Sequence, residues 1–254
     1  IRGIGELHLR AKLQLLKDRY GIEVATHPPK VAYKETITGK AEGHHRHKKQ
    51  SGGSGQFGEV YLRVEPADEA SEGLVNGLEF VDDTFGGSVP KQFMPAIEKG
   101  VRRVMEEGAI AGYPLQNIKV SVYDGKHHPV DSKEVAFVTA GRRAFIDAVQ
   151  KASPVLLEPF VRLEVTIPSG YIGDISSDLS GRRGRIQGTD MLPGDQAVVQ
   201  AEAPLAEVMT YANQLKSITG GAGSYVMEYS HDENTPPNVQ AEVVAAFKPT
   251  QDED

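Results

Sequence analysis

The residues best suited to chemistry are glycines and histidines gathered in two places. Gly53, Gly55, Gly58 and Val60 fall at the spacing G-x-G-x-x-G-x-V, that of the loop covering nucleotide phosphates in phosphoryl-transfer enzymes. Such transfer also needs a lysine on the next strand, a catalytic Asp and Asn, and an Asp-Phe-Gly that holds magnesium. Downstream of Val60 there is no V-A-I-K, H-R-D or D-F-G; Val31-Ala32-Tyr33-Lys34 comes too early and Asp83-Thr84-Phe85-Gly86 is misspaced. No G-x-x-x-x-G-K-S/T occurs either, so these residues cannot cradle GTP and no enzyme is expected within them. What remains is a turn whose glycines permit positive φ and close backbone approach to a ligand.

His44, His45, His47, His127 and His128 make up most of the eight histidines. Imidazoles suit Zn, Ni or Cu, but metal sites fix their ligands on rigid elements with outer partners. Here the histidines read as lying on loops and no H-E-x-x-H helix is present, so no metal site is expected. Histidines of which some carry a proton near neutral pH suit contact with phosphates. The net charge of −7 argues against indiscriminate nucleic-acid binding. Any RNA contact must come from local patches, of which residues 40–49, with Lys48 and Lys49, and residues 182–185, with Arg182, Arg183 and Arg185, are the candidates.

The elements that position these residues follow from periodicity. Leu9, Leu13, Leu16 and Tyr20 form one stripe of a helix at residues 6–20, ended by Gly21, with an extended segment at residues 22–24. Val31, Tyr33, Glu35 and Ile37 alternate, as do Val60, Leu62 and Val64, and Ile118, Val120 and Val122, while residues 78–82 form a further short strand. Helices open at Met94-Pro95 and span residues 134–151, so residues 31–155 read as α+β, helices on a mainly antiparallel sheet. Residues 156–235 read β-α-β-β-α-β, the split ferredoxin-like pattern. Its second helix opens at Pro204 and buries Leu205, Val208, Ala212 and Leu215; Tyr225, Met227 and Tyr229 alternate on its last strand. Pro236-Pro237 then precedes a short helix at residues 238–247 and an acidic tail. The absence of cysteine fits a reducing cytosol, and no apolar run is long enough to span a membrane.

Residues 50–58, Gln-Ser-Gly-Gly-Ser-Gly-Gln-Phe-Gly, resemble the Q-S/T-G-G-x-G-Q-F/Y-G loop in the fourth domain of bacterial elongation factor G. Residues 123–137 resemble the Y-D-G-x-x-H-D-V-D-S segment at the tip of that domain, which places His128 at the tip histidine. Residues 173–188 and 205–229 resemble its fifth domain, and residues 3–24 resemble the end of its third. The resemblance implies four parts: residues 1–30, a helix-strand remnant of another ferredoxin-like domain; residues 31–155, a domain like the second domain of ribosomal protein S5; residues 156–235, ferredoxin-like; and residues 236–254, returning to the fourth domain. It further implies a cytoplasmic fragment of a longer factor that moves tRNA and mRNA, with GTP and Mg held by a GTPase domain elsewhere in the same protein and with rRNA and decoding-site tRNA and mRNA as partners. Gly52, Gly53, Ser54, Gly55, Gln56, His127 and His128 are the implied RNA contacts, and Lys48, Lys49, Arg182, Arg183 and Arg185 further rRNA contacts. The apolar stripe of the first helix predicts self-association.

Two departures stand out. Pro129 replaces the acidic residue after the tip histidine, and residues 43–49 are unusually basic and rich in histidine. They leave open the housekeeping factor or a paralogue of the second elongation-factor-G type. A tetracycline-type ribosomal protection factor and a histidine-rich metal-binding protein are the other readings.

Overall fold

The computed structural model describes residues 6–26, 29–50, 55–68 and 70–247. It divides into two compact units, one built from Ala32–Glu158 with the residues from Asp232 on, the other from Pro159–His231 with the residues up to Val31.

In the first unit, β1 (Lys34–Ile37), β2 (Ala41–Lys49), β3 (Gln56–Pro66), β4 (Leu78–Asp82), α2 (Met94–Glu107), β5 (Ile118–Lys126) and α3 (Glu134–Lys151) follow in order. Helix α1 (Glu6–Tyr20) precedes them and belongs to the other unit. The sheet runs β2-β3-β5-β4, antiparallel except for the β4–β5 pair, which α2 connects. Alternation sends Val60, Leu62 and Val64 of β3 and Ile118, Val120 and Val122 of β5 to one face. There they are fully buried with Ile97 and Val101 of α2 and Phe137, Ala144, Phe145 and Ala148 of α3. Each large apolar side chain so buried contributes about 1.5–3 kcal/mol.

Beside Phe137, Phe145 and Val149, the face that α3 turns inward is made of small residues: Ala136, Ala140, Gly141, Ala144 and Ala148 are all buried. Gly43 of β2 meets it so closely that a Cβ there would lie 2.0 Å from the Ala144 carbonyl oxygen, and one on Gly100 of α2 would lie 2.2 Å from that of Val138. This lets α3 settle against both the edge strand and α2.

Strand β1 lies outside this sheet. It pairs antiparallel with residues 154–157 of β6 (Pro154–Pro168), and Glu35 also bonds backbone to backbone with Pro114 and Gln116. The regular alternation from Val31 is thus realised as a strand only over Lys34–Ile37. Glu35 faces inward fully buried, its carboxylate accepting the N–H groups of Ala109, Ile110, Ala111 and Tyr113 at 2.7–3.1 Å.

The other unit follows with α4 (Ile172–Gly181), β7 (Arg185–Leu192), β8 (Gln196–Pro204), α5 (Leu205–Val208), α6 (Tyr211–Thr219) and β9 (Ser224–Asn234). Strand β6 lies between β8 and β9, and β7 pairs β8. Its core joins Leu163, Val165 and Ile167 to Ile175, Leu179, Val208, Tyr211 and Leu215. The single helix expected from Pro204 is two, α5 and α6, and Tyr211 rather than Ala212 enters the core. The alternation of β9 fails at Tyr229, which is exposed. Helix α7 (Pro237–Ala246) is tied to β6 by Gln240, which accepts from Leu156 N–H and donates to the Pro154 carbonyl.

Gly21, at φ +65°, ends α1, and no strand forms at residues 22–24. Leu9, Leu13 and Leu16 are half-buried and Tyr20 exposed.

Gly43→Ala is expected to destabilise the protein by about 1–3 kcal/mol, because backbone and not a pliable side chain meets the new methyl. Gly173→Ala, where a Cβ finds open space, should be close to neutral. Urea unfolding followed by circular dichroism distinguishes the two, and equal midpoints would refute the close-packing account.

Candidate functional site

The hairpin β2–β3 and the connection from β5 to α3 meet. Gly52, Gly53 and Ser54 lie outside the described residues; Gly55 and Gln56 are described. Gly55 donates its N–H to Asp131 Oδ1 at 3.1 Å, Phe57 N–H donates to the Asp131 carbonyl at 2.9 Å, and the Ser132 hydroxyl donates to the Phe57 carbonyl at 3.0 Å. The start of β3 and a turn some 75 residues later thereby form one hydrogen-bonded assembly. Gly58, the third glycine of the phosphate-loop spacing, lies inside β3 against the backbone of Ala136 and Phe137. It serves strand–helix packing and lines no phosphate cradle.

His127 and His128 are both exposed. His128 closes its own turn: its N–H donates to Ser132 Oγ at 2.8 Å, and Nδ1 accepts the N–H groups of Val130 and Asp131 at 3.3 and 3.2 Å. Nδ1 also lies 3.4 Å from Asp131 Oδ2, an ion pair only if Nδ1 carries a proton. With two amides aimed at its lone pair, Nδ1 acts as the acceptor, which puts the proton of the neutral ring on Nε2. The ring meets Phe57 edge-on at 6.4 Å, and Arg46 covers Phe57 at 5.3 Å. Arg46, Lys48, Lys49, Gln56, His128 and Asp131 help line a cleft of about 220 Å³ at this junction.

His44, His45 and His47 correct the expectation of loop histidines: they lie on β2, paired residue for residue with β3 from Ala41↔Val64 to Lys49↔Gln56. The continuous ladder satisfies the backbone and overrides the polar composition. Likewise β5 continues to Lys126, beyond the alternation that ends at Val122. His44 stacks on Tyr61 at 4.1 Å and reaches Glu59 Oε1 at 2.9 Å, and the Tyr61 hydroxyl donates to the same oxygen. Burial pushes the Glu59 carboxyl up, but the hydrogen bonds from His44 and Tyr61 and the charge of Lys126 together carry it below its ordinary value. His47 Nε2 lies 3.2 Å from Gln56 Oε1. His45 faces α3, where burial, then Arg143 and the neighbouring His47 and His44, lower its pKa against a smaller opposing effect of Asp147. Among the described residues no three His, Asp or Glu side chains are arranged to hold a metal ion.

Arg182 donates to Asp178 Oδ2 and to the Glu207 carbonyl and lies over Tyr211, whose hydroxyl burial pushes up to about 12. Arg183 donates to Glu207 Oε1, and Arg185 lies over Phe160 at 4.8 Å. These cations are engaged within their own unit.

The pattern reading missed Asp131 and Ser132, which join the two turns, and Arg103, Arg142 and Arg143, which α2 and α3 bring beside β2. For the arginines a signal existed, since Arg142 and Thr139 follow Val138 and Val135 at i+4 on α3.

Residues 29–153 match elongation factor G, domain IV, and residues 155–243 match the elongation factor G C-terminus. The chain belongs to the elongation factor G family. It is 44% identical to elongation factor G of Aquifex pyrophilus over 96% of its own length, but spans only 34% of that relative. A crystal structure of a Thermus thermophilus protein superposes with a TM-score of 0.79 at 44% identity, covering 95% of this chain and 35% of the other. No helix among the described residues is long and apolar enough to cross a membrane.

His45 titrates near 6.5 when unfolded and lower in the fold, so the fold disfavours its protonation. The stability tied to neutral His45 is complete above about pH 6.5 and is lost as pH falls through the lowered value. Urea midpoints at about pH 7.5 and about pH 5.5 are therefore expected to fall further for wild type than for His45→Gln. Equal falls would exclude this role.

Proposed function

We propose that this chain is the ribosome-binding C-terminal part of a translation elongation factor of the elongation factor G type, promoting GTP-dependent translocation of tRNA and mRNA. The observation that carries the reading is the bonding of Gly55 and Phe57 to Asp131 and Ser132, which joins the start of β3 to the His128 turn and supports a composite tip. A tip of this kind suits the decoding site: backbone amides approach phosphates, the His128 Nε2–H donates to RNA acceptors, and Lys48 and Lys49 reach the backbone. rRNA, tRNA and mRNA are the proposed partners. GTP and Mg²⁺ belong to a GTPase domain outside these residues, and the setting is cytoplasmic.

The four-part division belongs to this reading. The unit of β2 to α3 is taken as S5 domain 2-like. The order β6-α4-β7-β8-α5/α6-β9, with strands arranged β9-β6-β8-β7, supports a ferredoxin-like fold for the other. Helix α1 is taken as the remnant of a preceding domain, and its half-buried leucines support self-association of the isolated chain. Arg182, Arg183 and Arg185 stay as rRNA contacts through whatever donors their own unit leaves available.

In the full-length factor, His128→Ala is expected to slow translocation about 10- to 100-fold, the worth of one hydrogen bond to a charged partner. Ribosome-stimulated GTP hydrolysis should change little. Rapid-mixing assays of both steps test it, and parallel loss of the two would argue against a tip-specific role.

A further inference from the structure

Strand β2 is an edge of its sheet, and α3 runs along its inner side with α2 packed on α3. Between them lies a groove of about 620 Å³ bordered by Arg46, Lys48 and Lys49 of β2, Arg103 of α2, and Arg142 and Arg143 of α3. His45 and His47 add titratable donors, Val135 and Val138 an apolar strip, and among the described lining residues there is no carboxylate. Glu107 binds Arg103 at 2.7 Å and Arg142 at 3.1 Å. Asp147, the acid acting on His45, also accepts from His44 N–H and Lys151. A protein of net charge −7 thus concentrates six cations along one groove.

Arg46, Lys48, Lys49 and Gln56 border both this groove and the cleft beside His128, so one basic path leads from the tip along the edge strand. We infer that the groove is a second nucleic-acid contact, a track for the sugar–phosphate backbone of an RNA strand that continues past the tip. The inference rests on the proposed ribosome-binding function and extends it from a point contact to a path. Its chemistry matches backbone recognition: guanidinium forks pair bidentately with phosphate, and the apolar strip suits ribose. Base-specific readout is not built in, so affinity should depend on salt and little on sequence. Basic side chains also protect an open strand edge from unwanted pairing, but that role does not require cations on α2 and α3.

The test measures binding of the 254-residue chain to a fluorescent single-stranded RNA and to an RNA hairpin by anisotropy across a salt series. Each cation neutralising a phosphate contributes about 0.7–0.9 to the slope of log K against log salt. Arg103→Gln/Arg143→Gln is expected to reduce the slope by about 1.4–1.8, and Arg103→Lys/Arg143→Lys to restore most of it. Lys91→Gln, which removes an exposed cation bordering neither the groove nor the cleft, should leave the slope unchanged. Circular dichroism establishes that each variant is folded, and Arg143→Gln alone, with about half the effect, serves if the double variant is not. An unchanged slope in folded glutamine variants, or no wild-type binding to either RNA, overturns the track. So does tighter binding of polyglutamate than of RNA at equal charge, which would indicate an acidic protein surface as partner. Loss of the track with translocation still sensitive to His128 leaves the tip reading standing; a track without that sensitivity removes the tip reading instead.

Discussion

Gly43 of β2 and Ala144 of α3 meet backbone to backbone, with no room for even a methyl group between them. That approach decides where α3 lies, and α3 decides almost everything near the site. Its first turn buttresses Gly58 of β3, its N-terminal connection carries His128, Asp131 and Ser132, and its flank brings Arg142 and Arg143 beside β2. The inward face of α3 is alanine- and glycine-rich because distance, more than apolar area, is what that face must deliver.

The junction of the two segments is held largely by side chains bonded to main chain. Asp131 uses both its carboxylate and its carbonyl on the hairpin, and Ser132 takes up His128 N–H while donating to Phe57. A histidine whose Nδ1 is committed to backbone amides is aimed before any partner arrives, which lowers the ordering cost of using it. The cations differ in character. Those near Glu207 and Asp178 are tied to acids beside them, whereas Arg103 and Arg142 share Glu107 and border a groove whose described lining holds no carboxylate.

Much of the framework was legible in the letters. Alternation at 60–64 and 118–122 located the central strands of the first unit, and Met94-Pro95 and residues 134–151 gave the two long helices, because these segments are buried on one face and sequence period records that burial. Residues 43–49 misled, since a run of histidine, arginine and lysine reads as a solvated loop, while a ladder with β3 needs only backbone groups. Tyr211 displaced Ala212 from the core once the helix broke into two pieces, a shift of phase that no local pattern records. At the site, both turns were visible as candidates, but not the bonds of Asp131 and Ser132, which depend on contacts 75 or more residues away. The basic path was half visible, because its β2 side is one contiguous run whereas its helical side is assembled only by packing.

Glu35 offers a different lesson. The segment after α2, Gly-Ala-Ile-Ala-Gly-Tyr at residues 108–113, has the small-residue composition of a slack connection. Yet four of its amide hydrogens point at one buried carboxylate from β1. Its hydrogens cannot be surrendered to solvent without stripping an anion of its ligands inside the protein. In deuterium exchange this apparent loop would therefore keep time with the sheet, opening only when β1 itself lets go.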